Sequence, residues 1–161
     1  RNIMKKIILG LALFIGTMFA APAMAPQFSA TTITGEKVSL DGYLATKKPT
    51  LVYFTASWCP TCAKNWPSIN SVYKTYKDRV NFISISIDPT DTDAVLTKLA
   101  KDHGLVYPSV AGNPKIMVDF GVTGQATTIM VNSKGEITFK ERGHLTLEDY
   151  TKLLDDALSN E

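Results

Sequence analysis

Thr50-Leu51-Val52-Tyr53-Phe54-Thr55-Ala56-Ser57-Trp58-Cys59-Pro60-Thr61-Cys62 decides how this chain folds. Its first six residues are β-branched, aromatic or aliphatic and carry no charge, the pattern of a strand buried on both faces. The strand runs through a short turn into a segment with helical spacing from about Pro60 to Tyr76. Proline is tolerated at the first helical position, where its missing N–H has no partner to lose. Cys59 therefore falls at a helix N-terminus, where free N–H groups and the helix dipole favour negative charge. Cys62, three residues on, lies one turn away on the same face. A thiolate at Cys59 is expected to be stabilised, with a pKa below the free-thiol value of about 8.5. Cys59 is expected to be the exposed nucleophile and Cys62 the more buried, resolving sulfur.

Other uses of two cysteines fit less well. A bridge across two residues closes a very short loop and constrains the unfolded chain little, so stability alone is a poor reason for it. Zinc would need two more ligands, and the only histidines, His103 and His144, lie far from the pair and from each other in the sequence. Covalent haem attachment would need histidine directly after the second cysteine, where Ala63 stands. No metal site is expected, and no cofactor beyond a redox-active disulfide.

Outward from the pair, Phe28 to Leu40 reads as a hairpin around Thr34-Gly35-Glu36. Asn81 to Asp88 is a second central strand, and Asp91 to Asp102 is helical, with Val95, Leu96 and Leu99 on one face and Asp91 or Thr92 as cap. Pro114 to Phe120 is a short helix. Thr127–Asn132 and Ile137–Glu141 form a hairpin through Ser133-Lys134-Gly135. Thr146 caps a last helix with Leu147, Tyr150, Leu154 and Leu158 as its apolar stripe. Strands joined by crossover helices run parallel, and the late hairpin adds antiparallel partners. The expected fold is α/β: a three-layer α/β/α sandwich on a mixed sheet of about five strands, preceded by a β-hairpin.

The chain has 161 residues, enough for one domain with a core and hardly enough for two. Arg1, Lys5 and Lys6 hold three of its 17 basic residues, leaving the rest near neutral against 15 acidic ones. Nucleic-acid binding, which needs a basic stripe, is not expected. Lys5 and Lys6 precede an uncharged run, Ile7 to Phe19, that ends near Ala23-Met24-Ala25. That is the pattern of a signal peptide over residues 1–25 with an A-x-A cleavage site, followed by one domain over 26–161. The alternative is a retained membrane anchor, since the run approaches spanning length. Either places the domain outside the cytoplasm, in a bacterial periplasm or at the cell surface.

Trp58-Cys59-Pro60-Thr61-Cys62 after a hydrophobic strand, with Pro67 in the following helix, resembles the thioredoxin superfamily. The preceding hairpin, the insertion from about Asp88 to Phe120 and Gly121-Val122-Thr123-Gly124 before the last hairpin are similar to its exported TlpA-like branch, which includes reductases of cytochrome c maturation. The resemblance covers about residues 26 to 158. It implies a thioredoxin-like fold and a thiol–disulfide oxidoreductase with Cys59 and Cys62 as catalytic groups. It implies a substrate face of Trp58, Pro60, Thr61, Gln125 and Ala126. As partners it implies oxidised client proteins, apocytochrome c among them, and a membrane electron donor. The chain meets the membrane only through its N-terminal segment, if that is retained.

Three positions depart from the family pattern. Ala126 stands where family members carry a cis-proline, within Gly124-Gln125-Ala126-Thr127-Thr128, and a cis bond before a non-proline residue costs about 2.5–4 kcal/mol. That places substrate docking in question and keeps a copper or iron–sulfur carrier as the alternative function. Asn65 replaces the acidic residue of TlpA-like reductases, and Tyr53 stands where thioredoxins bury an aspartate. With neither carboxylate, Cys62 is expected to stay a high-pKa thiol with slow turnover at neutral pH; Lys64, Tyr53 or water are the remaining candidate bases. A peroxiredoxin shares the fold, but the Pro-x-x-x-Thr-x-x-Cys pocket is missing before Cys59. Trp58 is expected to pack beside the disulfide, and His144 to be a surface residue.

Overall fold

A computed structural model describes residues 20–161, and the apolar run Ile7–Phe19 with its flanking lysines lies outside the described residues. Among the described residues no helix is long and apolar enough to cross a membrane.

The uncharged stretch forms β3 (Thr50–Thr55), buried along its whole length. It lies at the centre of a five-stranded sheet of order β5-β4-β3-β6-β7. β3 pairs in parallel with β4 (Asn81–Ser86), which pairs in parallel with β5 (Ser109–Val110). On its other side it pairs antiparallel with β6 (Thr127–Val131), which continues antiparallel into β7 (Ile137–Arg142). The sheet is mixed, with the expected five strands.

Alternation along β3 divides the core. Leu51 and Tyr53 face one side, with Cys62, Trp66, Ile69, Tyr150 and Leu154 of α2 (Pro60–Tyr76) and α5 (Leu147–Ser159). Val52 and Phe54 face the other, with Ile83, Ile85, Phe28, Ile116 and Phe120. That second layer holds the hairpin β1 (Ser29–Thr31) and β2 (Lys37–Ser39), α1 (Leu40–Ala45) and α4 (Pro114–Asp119). The hairpin turns at Gly35, whose φ of +90° favours glycine.

Each sheet edge takes one further bridge, which shortens the open ladder that invites aggregation. Thr32 bridges to Val110 beside β5, and Met24 bridges to Glu136 at the start of β7. The Ala25 N–H donates to Gly135 and the Ile137 N–H to Ala23, each at 2.8 Å. The expected cleavage motif Ala23-Met24-Ala25 is thus part of the folded edge in this chain.

Several expectations shift. α1 and the two-residue β5 have too few periodic positions to be read from sequence. α3 (Asp93–His103) begins two residues late because Thr92 is its cap, its hydroxyl accepting the Val95 N–H. Of its expected face only Leu96 is buried and Leu99 packs on the core, while Val95 is exposed. The capping box of Thr146 and Asp149 starts α5, but Leu147 at the head of the stripe stays in solvent.

Candidate active site

β3 ends at Thr55, and the chain turns through Ala56-Ser57-Trp58 with the Cys59 N–H donating to the Ala56 carbonyl at 3.2 Å. Cys59 is the N-cap of α2 and Pro60 opens its first turn, as expected. Cys59 and Cys62 form a disulfide with Cα atoms 5.2 Å apart. The Cys62 N–H donates to the Cys59 sulfur at 3.0 Å. A helix N-terminus and a directed N–H therefore both act on one sulfur, where negative charge is accommodated best.

Cys59 is less open than expected: in this oxidised form it is 3% exposed, and Cys62 is fully buried. Trp58, next to Cys59 in the chain, stands largely in solvent. It is 57% exposed, and its indole N–H donates to the Asp88 carboxylate at 2.6 Å. The Thr90 backbone N–H and hydroxyl donate to the same carboxylate and, with the indole, hold Asp88 below the usual carboxylate range.

Pro60 is exposed and Thr61 half-buried on the first turn of α2. Across from them Gln125 is half-buried and Ala126 buried. The described residues contain no cis peptide bond, so Gln125–Ala126 is trans, and Ala126 takes a left-handed φ of +59°. The Ala126 carbonyl accepts the Gly143 N–H at 2.8 Å, and the Gln125 carbonyl accepts Arg142 Nε at 3.2 Å. Both carbonyls of this loop are already paired with the end of β7.

Below Cys62, Asn65 is fully buried and makes four hydrogen bonds. Its Nδ2 donates to the Tyr53 hydroxyl at 3.0 Å and to the Gly143 carbonyl at 2.9 Å. Its Oδ1 accepts from the Leu145 N–H at 3.1 Å and from the ring of His144 at 2.8 Å. Burial pushes the Tyr53 hydroxyl far above its usual pKa, which removes it as a base at neutral pH. Lys64 projects into solvent. His144 is exposed as expected, yet it is tethered to the buried amide, a contact no local pattern announces.

Sequence reasoning also missed Asp91, read as a possible helix cap. It is 2% exposed and accepts from the Ser57 backbone and hydroxyl and from the Ser86 hydroxyl. Its potential signal was the acid-rich run Asp88-Pro89-Thr90-Asp91-Thr92-Asp93 directly after a buried strand. Among the described residues no group of three or more His, Cys, Asp and Glu gathers in a metal-binding arrangement. His103 instead stacks edge-on against Trp66.

A mixed sheet of this order, with a C-x-x-C disulfide at the junction of its central strand and a helix, defines a thioredoxin-like protein. The chain belongs to the AhpC/TSA family, whose model matches residues 22–140. It is 28% identical over 132 residues to the thiol-disulfide oxidoreductase ResA of Bacillus thuringiensis subsp. konkukian, covering 80% of this chain and 75% of that one. It is 27% identical over 129 residues to the thiol:disulfide interchange protein DsbE homolog of Paracoccus denitrificans, covering 79% and 69%. Among solved structures, a thiol:disulfide interchange protein of Chlorobium tepidum matches with a TM-score of 0.77 at 25% identity, over 86% of this chain and 98% of that one. StoA of Bacillus subtilis matches with 0.69 at 27%, over 81% and 98%. The protein is a thiol–disulfide oxidoreductase of the ResA/DsbE type.

Proposed function

We propose that Cys59 and Cys62 are the redox-active pair of an exported reductase of protein disulfides, with oxidised apocytochrome c among its clients. The observation that carries this is the Cys59 sulfur at the α2 N-terminus, hydrogen-bonded by the Cys62 N–H, with the Cys62 sulfur buried behind it.

In the reduced protein the Cys59 thiolate attacks one sulfur of a client disulfide. A Cys59–client bond forms, the client S–S bond breaks, and the second client sulfur leaves as a thiolate that takes a proton. Cys62 then loses its proton and attacks the Cys59 sulfur. The mixed disulfide breaks, the first client sulfur is released and protonated, and the Cys59–Cys62 disulfide remains. Two electrons have passed to the client. A membrane dithiol donor restores the pair by the same exchange in reverse, with no cofactor beyond the disulfide.

Trp58, Pro60, Thr61 and Gln125 supply the face against which the client lies. With its carbonyl already paired, Ala126 shapes this face rather than contacting the client. Cys62, buried and without a neighbouring carboxylate base, makes the second attack slow at neutral pH and faster as pH rises through the thiol range, above about 8.5. Val52 and Ala56 occupy the positions where a peroxide pocket needs proline and threonine, so hydrogen peroxide consumption is expected to be negligible. The N-terminal segment provides export, by cleavage after Ala25 or as an anchor.

The test is the midpoint potential of the pair, read by thiol trapping and mass spectrometry across a redox-buffer series. A value below about −220 mV supports the reductase reading, and one above about −180 mV makes the protein an oxidant. If no reversible two-electron transition appears, the reading fails and metal analysis of the purified protein takes precedence.

A further inference from the structure

Resting on the proposed redox role of Cys59 and Cys62, we propose that Asp91 is a positioning residue for that couple. Its buried carboxylate clamps Ser57 in the turn that presents Cys59 and holds the couple toward its reducing side.

The Ser57 backbone N–H donates to Asp91 Oδ2 at 2.8 Å and the Ser57 hydroxyl to Oδ1 at 2.5 Å. Ser86 Oγ, at the end of β4, donates to Oδ2 at 2.5 Å. The Ser57 N–H can only donate, and both serine hydroxyls lie at donating distance, so each carboxylate oxygen has an acceptor's role to fill. The ion pairs among the described residues are surface pairs within α3, α4 and α5, so no cation answers Asp91. Burying a carboxylate is costly unless it is fully hydrogen-bonded, and here three donors from two elements supply that. A neutral side chain would hold the loop at less cost, so a charge kept there calls for a reason.

The clamp reaches from the insertion to the active site. Ser57 is the second residue of the Ala56–Cys59 turn, so fixing its N–H fixes the approach of the chain to the Cys59 cap. The clamp is itself braced. The Gly112 N–H donates to the Asp91 carbonyl at 2.8 Å, and any Cβ at Gly112 would overlap the Asp88 carbonyl.

The charge has a definite sign of effect. The α2 N-terminus and the Cys62 N–H stabilise a Cys59 thiolate, and so favour the dithiol form and a more oxidising couple. A buried negative charge bonded to Ser57, two residues before Cys59, opposes this, because repulsion between like charges is screened little in a desolvated setting. Asp91 therefore offsets part of the helix effect.

The experiment compares wild type, Asp91→Asn and Ser57→Ala in the full chain by redox titration, by the pH profile of Cys59 alkylation and by thermal unfolding. Asparagine keeps the shape and can still accept the Ser57 N–H. Asp91→Asn is expected to move the equilibrium about tenfold toward the dithiol, equivalent to about 30 mV, and to shift the alkylation profile to lower pH. Ser57→Ala keeps the charge and loses one hydrogen bond, so it is expected to lower thermal stability and leave the equilibrium within about twofold of wild type. An Asp91→Asn equilibrium unchanged or moved toward the disulfide overturns the proposal. So does a Ser57→Ala shift as large as that expected of the asparagine variant, which also decides the matter should Asp91→Asn not fold. A wild type without any reversible transition would instead sink the proposed function itself.

Discussion

Asn65 Oδ1 accepts a hydrogen bond from His144 Nδ1 at 2.8 Å, tying an exposed histidine to a buried amide one helical turn below Cys62. The amide cannot be reversed, because Gly143 offers it a carbonyl and Leu145 an N–H. Oδ1 therefore faces the ring, His144 Nδ1 carries the hydrogen, and Nε2 is left to solvent. The end of β7 and the start of α5 are fastened in this way to the active-site helix.

Replacing Asn65 by alanine strands the Leu145 N–H, the Gly143 carbonyl and the Tyr53 hydroxyl in a dry core. A loss of about 2–4 kcal/mol is expected from chemical denaturation. His144→Ala removes only an exposed partner and is expected to cost no more than about 1 kcal/mol. Equal losses for the two would show that Asn65 is not the hub of this junction.

The Trp58–Asp88 contact predicts a pH dependence. Asp88 is held below its ordinary value of 3.8, first by the Thr90 backbone N–H, then by the Thr90 hydroxyl and the Trp58 indole. A lowered folded-state pKa gives stability that is complete above the ordinary value and lost as pH falls through the folded one. Trp58 fluorescence in a Trp66→Phe background is expected to hold steady to about pH 4 and change below it. Asp88→Asn is expected to abolish that transition; if it persists unaltered, another group controls the indole.

Ala126 holds a left-handed backbone inside the core. Valine there adds two methyl groups to a closed site and strains a β-branched residue at positive φ, so Ala126→Val is expected to cost about 2–4 kcal/mol. Ala126→Gly relieves the strain but loosens the unfolded chain, and should stay within about 1 kcal/mol of wild type. Thermal or denaturant unfolding ranks the three, and a well-tolerated valine would show that the loop is not held in this conformation.

The paired segment Ala23–Ala25 gives a prediction about processing. A chain beginning at Pro26 loses the bonds from Ala25 N–H to Gly135 and from Ile137 N–H to Ala23. It is expected to be about 1–2 kcal/mol less stable than one beginning at Ala20, with faster amide exchange at Ile137. Identical exchange in the two chains would mean that the segment does not cover this edge.

Much of this architecture was legible because local patterns and the fold agree. An uncharged β-branched run suits a doubly buried strand, and a proline after Cys59 suits the first turn of a helix. Together these put the two sulfurs at a strand–helix junction. The mixed sheet, the two hairpins and the cap at Thr146 followed from periodicity and turn residues, while the choice of Thr92 over Asp91 as the α3 cap came from the structure. The resemblance to thioredoxin-like reductases rested on the same few residues.

What tertiary structure alone decided depends on contacts between distant segments. Asp91 and Ser57 are 34 residues apart, and Asn65 and His144 are 79 apart. Locally, Asp91 read as a possible cap, Ser57 as a turn residue, His144 as a surface group and Asn65 as the replacement of a family carboxylate. Only the packing of the Asp88–Phe120 insertion against the active-site turn buries Asp91 beside Ser57. Only the return of β7 into α5 closes over Asn65. Sequence determined the chemistry and its place on the chain, because helix termini and buried strands are short-range matters. The surroundings of that chemistry were set by long-range burial, where a polar side chain leaves water only if a remote partner satisfies it.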